Sequence, residues 1–415
     1  LRLRISDRSV LCIDWDERSL RVLDARFSSR SGVRIRGALH VPLAPGTDVR
    51  DPASVGGFLR QALGEHRIRT RRAIVDIPRQ DAVLNLLPLP EASTDELAAM
   101  VHIQIAKELP FSKEQAVIDF AVAREQGANT CDVWVSAVRS HVIDHYQQVI
   151  RAAGLKLERI GLRPYANLAA LTVDDVPAGR TLTVDIGPAM TEINVIRDGR
   201  LAYSRAASVS VPVGGLSAPI GPAGAPGPSS TDDAGDATLV LADDSPAQPG
   251  PMDALLIEVS RTIEAYRATD PGSTIDRIVL SGTAEIDREV QEAFEERFGS
   301  PTTTYEAPSS LRWRPKGQVS AAPFSAVIGL AMSNAAEGTL RFDFLHPKEP
   351  EAGRRERAKR VPMMAATVAL FVAAAGVAAY QPFRSGNARL TALQNKIDEL
   401  NLDKEEREAF MKKYE

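Results

Sequence analysis

Cysteine is scarce in this chain. Cys12 and Cys131 are the 2 present among 415 residues, each inside an apolar run and neither with metal-type spacing. That excludes a disulfide-stapled scaffold and a thiolate metal site, and leaves two buried, reduced thiols of a cytosolic domain. A positive excess is lacking too: the net charge of −4 argues against a nucleic-acid binder, although a local cluster can hide in a total. No signal peptide precedes Leu11 and no initiator Met opens the chain, so it reads as an excerpt or a trimmed sequence. His141 and His145, spaced i, i+4 on a predicted helix, have the geometry to share a metal. No acid stands between them as HExxH requires, and the reading is a solvated helix face.

What is present is a folded composition, 44% apolar and 25% charged, in a length that predicts two or three domains. The stretch Thr181 to Val211 organises the rest. Two β-branched runs, Leu182 to Asp185 and Ile193 to Arg197, flank a loop with Asp185, Gly187 and Thr191, and Asp198-Gly199 turns the chain into a third run. Asp185 offers a carboxylate to a hydrated cation, Gly187 lets backbone N–H groups approach an anion, and Thr191 adds a hydroxyl. Such a loop can hold a phosphate, and it can also be a plain hairpin with a capped turn. Leu11 to Leu43 repeats the pattern: Cys12 to Asp14, then Ser19 to Phe27, then Val33 to Val41. Two like β units heading two halves predict a duplicated α/β architecture with a cleft between them.

With these residues the chain resembles the actin, Hsp70 and sugar-kinase superfamily, and within it the PilM family of type IV pilus assembly proteins. The resemblance makes the two hairpins the first and second phosphate loops. It also puts Ile278 to Ala284, with Gly282, at the turn that packs on adenosine. Asn85 to Val122 carries the more specific likeness. A Pro-punctuated strand leads to a helix capped at Ser93 or Thr94 with acids in its first turn, broken at Pro110-Phe111. Leu109-Pro110-Phe111 and Ile118-Asp119-Phe120 are similar to the "hPF" break and "hxDF" strand of a small subdomain inserted in PilM-like proteins.

Elsewhere the periodicities predict helices at Pro52 to Leu63, Ser140 to Ala153, Tyr165 to Leu171, Met252 to Ala268, Ala284 to Phe298 and Pro323 to Met332. Strands are predicted at Ala73 to Ile77, Val133 to Val138, Leu155 to Gly161, Arg277 to Leu280 and Thr302 to Tyr305. Gly214 to Pro251, rich in Gly, Pro, Ser, Ala and Asp, reads as a flexible insertion, with Ala237 to Leu241 as an edge-strand candidate. The expected organisation is lobe 1 over 9–175, with the inserted subdomain at about 83–135, and lobe 2 over 176–340 with its insertion at 214–251.

Beyond lobe 2 the expectation is a tail and basic segment over 341–360, a transmembrane helix over 361–380 and a coiled-coil start over 387–415. Val361 to Tyr380 is uncharged, and at about 1.5 Å per residue it spans the roughly 30 Å of a bilayer core. Arg354, Arg355, Arg357, Lys359 and Arg360 stand before it, which faces the N-terminal domain to the cytoplasm. Its many alanines leave a buried soluble helix as the other reading. Leu390, Leu393, Ile397 and Leu400 follow coiled-coil spacing until Lys404 and Arg407 fall on the seam.

The segment Phe342, Asp343, Phe344, Leu345, His346, Pro347 resembles, with substitutions, the cytoplasmic tail of PilN-like proteins, the partners of PilM. The layout then looks like PilM fused to the start of PilN, and is similar to the L subunit of type II secretion. The resemblance implies a single-pass protein of a bacterial inner membrane, its C-terminal part periplasmic and the usual periplasmic domain cut away. It implies other platform proteins as partners, a cytoplasmic motor ATPase indirectly, and oligomers through the coiled coil. An extended apolar peptide docks in grooves, and tethering raises its effective concentration, so Phe342 to Leu345 are expected to dock on the chain's own domain.

The family's first phosphate loop reads D-x-G-x-x-S/T-x-K, and here Asp14, Ser19 and Arg21 keep polar positions while Asp16 replaces the glycine. A carboxylate there, beside Glu17, repels a triphosphate, and Pro188 removes a donor from the second loop. The leading expectation is a scaffold that is not an efficient ATPase, with no cofactor. The alternative is an active Mg-ATP-binding ATPase of the same machinery, with Asp14 and Asp185 on Mg²⁺ and Ser19, Gly187, Thr191 and Gly282 lining the nucleotide. An actin-like polymer is a third class.

Overall fold

A continuous apolar run, Val10 to Ile13, makes the central strand β1 (Arg8–Trp15), and β2 (Ser19–Ser28) and β3 (Gly32–Pro42) pair beside it in an antiparallel meander. Parallel strands β4 (Arg72–Ile77) and β8 (Lys156–Leu162) extend it to the order β3-β2-β1-β4-β8. The chain later does the same again. β9 (Arg180–Ile186), β10 (Met190–Arg197) and β11 (Arg200–Ser208) are joined by β12 (Arg277–Gly282) and β13 (Thr302–Thr304) in the order β11-β10-β9-β12-β13. The second order repeats the first strand for strand, so the two halves are two copies of one topology. In the computed structural model residues 8–28, 32–126, 130–172, 174, 177–212, 215–216, 250–311, 313, 320–334, 341–350, 370–371, 373–375, 389–401 and 403–413 are described.

Helices complete each lobe. Asp51 caps α1 (Pro52–Glu65), which packs on α3 (Ser140–Ala152) over the first sheet. α5 (Pro251–Thr269) and α6 (Arg288–Phe298) cover the second. Asp287 caps α6 through the Val290 N–H, so that helix starts later than the expected Ala284. At the Asp198-Gly199 turn both residues have positive φ, 49° and 72°, as the hairpin's twist demands.

Between β4 and β8 lies a three-stranded sheet, β5 (Ala82–Pro90), β6 (Ala116–Gln126) and β7 (Thr130–Arg139), in the order β5-β7-β6. One face is covered by α2 (Thr94–Ile105), which opens with a capping box of Ser93 and Glu96. α2 ends at Ile105, before the expected break at Pro110.

Two small-residue helices knit the lobes together. α4 (Arg163–Thr172) leads from lobe 1 toward lobe 2, and α7 (Ser325–Ser333), preceded by a short 3-10 turn at 322–324, returns to lie on β1, β2 and β4. They meet at Gly329, where a Cβ would lie 1.7 Å from the Ala166 carbonyl oxygen. Only a bare backbone permits that approach. Arg341 to Lys348 then return to lobe 1, with Phe342 and Phe344 at 1% and 2% exposure in the cluster that holds Leu11, Val75 and Ile160.

Residues 349–415 form a separate unit. Its described helical residues, 389–401 and 403–413, carry Leu390, Leu393, Ile397 and Leu400 exposed. Except for 370, 371 and 373–375, the expected transmembrane segment 361–380 lies outside the described residues. Among the described residues no helix is long and apolar enough to cross a membrane. The bulk of the insertion, 217–249 with Ala237 to Leu241, also lies outside them.

Candidate functional site

The twin hairpins β1–β2 and β9–β10 point their loops at each other across a cavity of about 550 Å³. Asp14, Asp16, Arg21, Asp185, Gly187, Glu192, Gly282 and Thr283 line it, with Arg163 from the start of α4 and His141 and His145 from α3. The lining carries 6 carboxylates (Asp14, Asp16, Glu17, Asp81, Asp185, Glu192) and 3 guanidinium groups (Arg21, Arg50, Arg163), so its wall is acidic.

Strand register decides which side chains face the cavity. Asp14 pairs with Arg21 and Asp185 with Glu192. Thr191 is opposite Ile186 and therefore points the other way, wholly buried, its hydroxyl outside the cavity. The expected role of Thr191 is corrected on that ground: a period of two puts Glu192 where the hydroxyl was expected.

Arg21 is committed within its own loop. Its Nε and Nη2 donate to Asp14 Oδ2 at 2.9 and 2.6 Å, and Nη1 donates to Asp16 Oδ2 at 2.6 Å and to Ser19 Oγ at 2.8 Å. Arg163 donates to Asp14 Oδ1 and lies 3.6 Å from Asp76. Asp14 is thus held by two guanidinium groups. Asp16 Oδ1 accepts the Arg18 and Ser19 amides, both at 2.8 Å. Three amides of this loop are then engaged, since Asp16 N–H donates to Ser19 O.

Deeper in, Glu192 Oε1 accepts from Asn167 (3.0 Å) and Asn194 (3.1 Å), and Oε2 from the Arg79 amide (3.2 Å). Burial pushes the Glu192 carboxyl up to about 7 and Asp76 up to about 6, with Arg163 pulling both back in part. Burial likewise raises Asp185. Against the cost of its own burial, Asp14, Asp76, Asp185 and Glu192 hold Arg163 well above its ordinary value. Arg163, Asp76 and Asn167 carry no local sequence pattern.

The second loop also turns inward. Gly187 N–H donates to Met190 O at 3.1 Å, and Pro188 has no N–H. Gly282, at φ 111°, lies where a Cβ would be 2.4 Å from the Ile186 backbone, so the turn after β12 is pressed onto β9. A polyphosphate meets an acidic wall and a first loop whose amides and guanidinium are already bound, so the residues present do not fit Mg-ATP. Among the described residues no group of three or more His, Cys, Asp and Glu side chains is arranged to hold a metal ion.

Comparison with known proteins adds to this geometry. Residues 12–211 match the family described as type IV pilus assembly protein PilM. Over that stretch the chain is PilM-like. A solved structure titled "PilM-PilN type IV pilus biogenesis complex" superimposes with a TM-score of 0.62 at 17% identity, covering 80% of this chain and 100% of that one. That likeness is one of fold, the actin-like fold that the duplicated sheets of this chain display. Other matches are the cytoplasmic domain of EpsL, an inner membrane component of the type II secretion system of Vibrio cholerae (TM-score 0.41, 10% identity, 82% and 98% covered). ADP-bound MreB5 of Spiroplasma citri matches with a TM-score of 0.38 at 11% identity, covering 80% and 99%.

The other candidate residues gather at a second place. Phe344 N–H donates to Ile160 O at 2.8 Å, which adds the segment to the edge of β8, and Phe342 stacks edge-on against Tyr165 with centroids 4.8 Å apart. Asp119, from the Ile118-Asp119-Phe120 motif, accepts the Asp343 amide at 2.7 Å and the Lys348 ammonium at 3.0 Å. Buried Arg159 donates to Leu330 O and Ser333 Oγ of α7 and to Phe342 O.

Proposed function

We propose that this chain is a membrane-anchored, actin-like scaffold of a type IV pilus or type II secretion-like assembly platform, and that it does not turn over nucleotide. In this reading a PilM-like body and the beginning of a PilN-like membrane protein share one polypeptide. Supporting it most directly is Arg341 to Lys348 seated on lobe 1, immediately before the basic run and the uncharged stretch 361–380. Tethering makes that docking unimolecular, so the body stays coupled to the membrane at any expression level. Leu390 to Leu400 then offer a helical seam to another platform subunit beyond the membrane.

The filled first loop supports the non-enzymatic part. Membrane fractionation tests the anchor: the full chain should sediment with inner membranes and lose that on deletion of 361–380. Thermal-shift titration tests the rest. A rise in midpoint with Mg-ATP that Asp185→Ala abolishes would sink the nucleotide-free reading.

A further inference from the structure

Asp16 and Gly187 occupy the same place in the two hairpins. Each donates its N–H to the carbonyl three residues on, at 3.0 and 3.1 Å, and each follows the closing pair of its hairpin, Trp15 with Leu20 and Ile186 with Thr191. Lobe 2 fills that place with glycine, lobe 1 with a carboxylate. Its two oxygens divide their work. Oδ1 takes the Arg18 and Ser19 amides, while Oδ2 takes Arg21 Nη1 at 2.6 Å and Thr283 Oγ1, from the other lobe, at 3.1 Å.

An aspartate that merely shapes a turn needs only the two amides. A guanidinium and a hydroxyl from across the cleft are what a bound anion collects. We propose that Asp16 is a resident anion: its carboxylate occupies a cradle that otherwise takes a phosphate group, and it fastens lobe 1 to lobe 2 without a ligand. Arg18 adds a second fastening on the same side, Nη2 to Val211 O at 2.6 Å. Closure of the cleft is then a constant of the chain. This deepens the scaffold reading and rests on it only in assuming that no nucleotide normally enters.

Amide hydrogen exchange on the full chain, with and without inorganic pyrophosphate and Mg²⁺, tests the proposal. In the unaltered chain the Arg18 and Ser19 amides should exchange slowly and ignore pyrophosphate. Asp16→Gly should speed them about ten- to hundredfold, the loss of charge-assisted hydrogen bonds, and pyrophosphate should slow them again. Asp16→Asn, which keeps the shape, covers the case in which the glycine variant does not fold. Its amides should exchange severalfold faster, because the ion pair with Arg21 is lost, and should ignore pyrophosphate. Unchanged exchange in a folded variant overturns the proposal. So does pyrophosphate that protects the unaltered chain, or fails to protect Asp16→Gly. ATP hydrolysis by the unaltered chain would instead sink the scaffold reading, so the two failures are told apart.

Discussion

The Lys348 ammonium lies 3.0 and 3.2 Å from the two oxygens of Asp119 and also donates to Phe120 O and Arg341 O, so a lysine just before the basic segment is locked into the inserted subdomain. The Asp119 side chain is wholly buried and that of Lys348 is 14% exposed. Removing one partner strands the other. Lys348→Met should cost about 3–5 kcal/mol in urea unfolding, and Asp119→Asn with Lys348→Met together should cost less than the two single changes added. Additive costs would show that the pair is not coupled.

Phe344 is the anchor of the same segment. Phe344→Ala should destabilise the body by about 3–5 kcal/mol and expose the stretch from Arg341 to Lys348 to trypsin. Equal cleavage of variant and parent would show that Phe344 does not hold the segment down.

Glu192 predicts a pH dependence of defined sign. Its folded value of about 7 stands above its ordinary 4.5, so between those limits the folded chain binds the extra proton. Stability is therefore fully present below about 4.5 and falls as pH rises through about 7, by an amount of order 3 kcal/mol for a shift of this size. Asp76, raised to about 6, adds in the same direction. Urea midpoints at pH 5 and pH 8 for the parent and Glu192→Gln check this as an order-of-magnitude expectation, the variant being the flatter of the two. A parent more stable at the higher pH would contradict it.

At the crossing of α4 and α7, Gly329→Ala should cost roughly 3 kcal/mol or more, because its methyl would fall 1.7 Å from the Ala166 carbonyl oxygen. A melting curve compared with that of Gly57→Ala, where a Cβ meets nothing within 4 Å, separates the clash from the general effect of adding a methyl in a helix. Similar midpoints would mean that the helices move apart freely.

Local features are legible in the amino-acid order itself. Ser93 with Glu96, Asp198-Gly199 and the alternation of β9 and β10 each act within a few residues, and each element forms where its pattern lies. The repeat of strand, acidic loop, strand is likewise readable in Leu11 to Leu43 and Thr181 to Val211. Most of the cavity is not. Arg163, Asp76 and Asn167 come from α4 and β4, which reach the hairpin loops through the crossover of the sheet. Glu192 alone has a usable signal, and it lies in the hairpin register: Glu192 pairs with Asp185 and shares its face, whereas Thr191 pairs with Ile186 and takes the other. By charge alone Asp16 repels an anion, whereas in the fold it is bonded to the donors an anion would use.

The return of α7 and the Phe342–Phe344 segment to the first sheet bears on the order in which the protein is made. A ribosome that has finished lobe 1 has released a sheet whose covering helix and closing aromatics are still unsynthesised, and emerging domains otherwise tend to fold as units. The first half must wait for the second, and severing the polypeptide between β8 and β9 leaves an amino-terminal fragment with its apolar face uncovered.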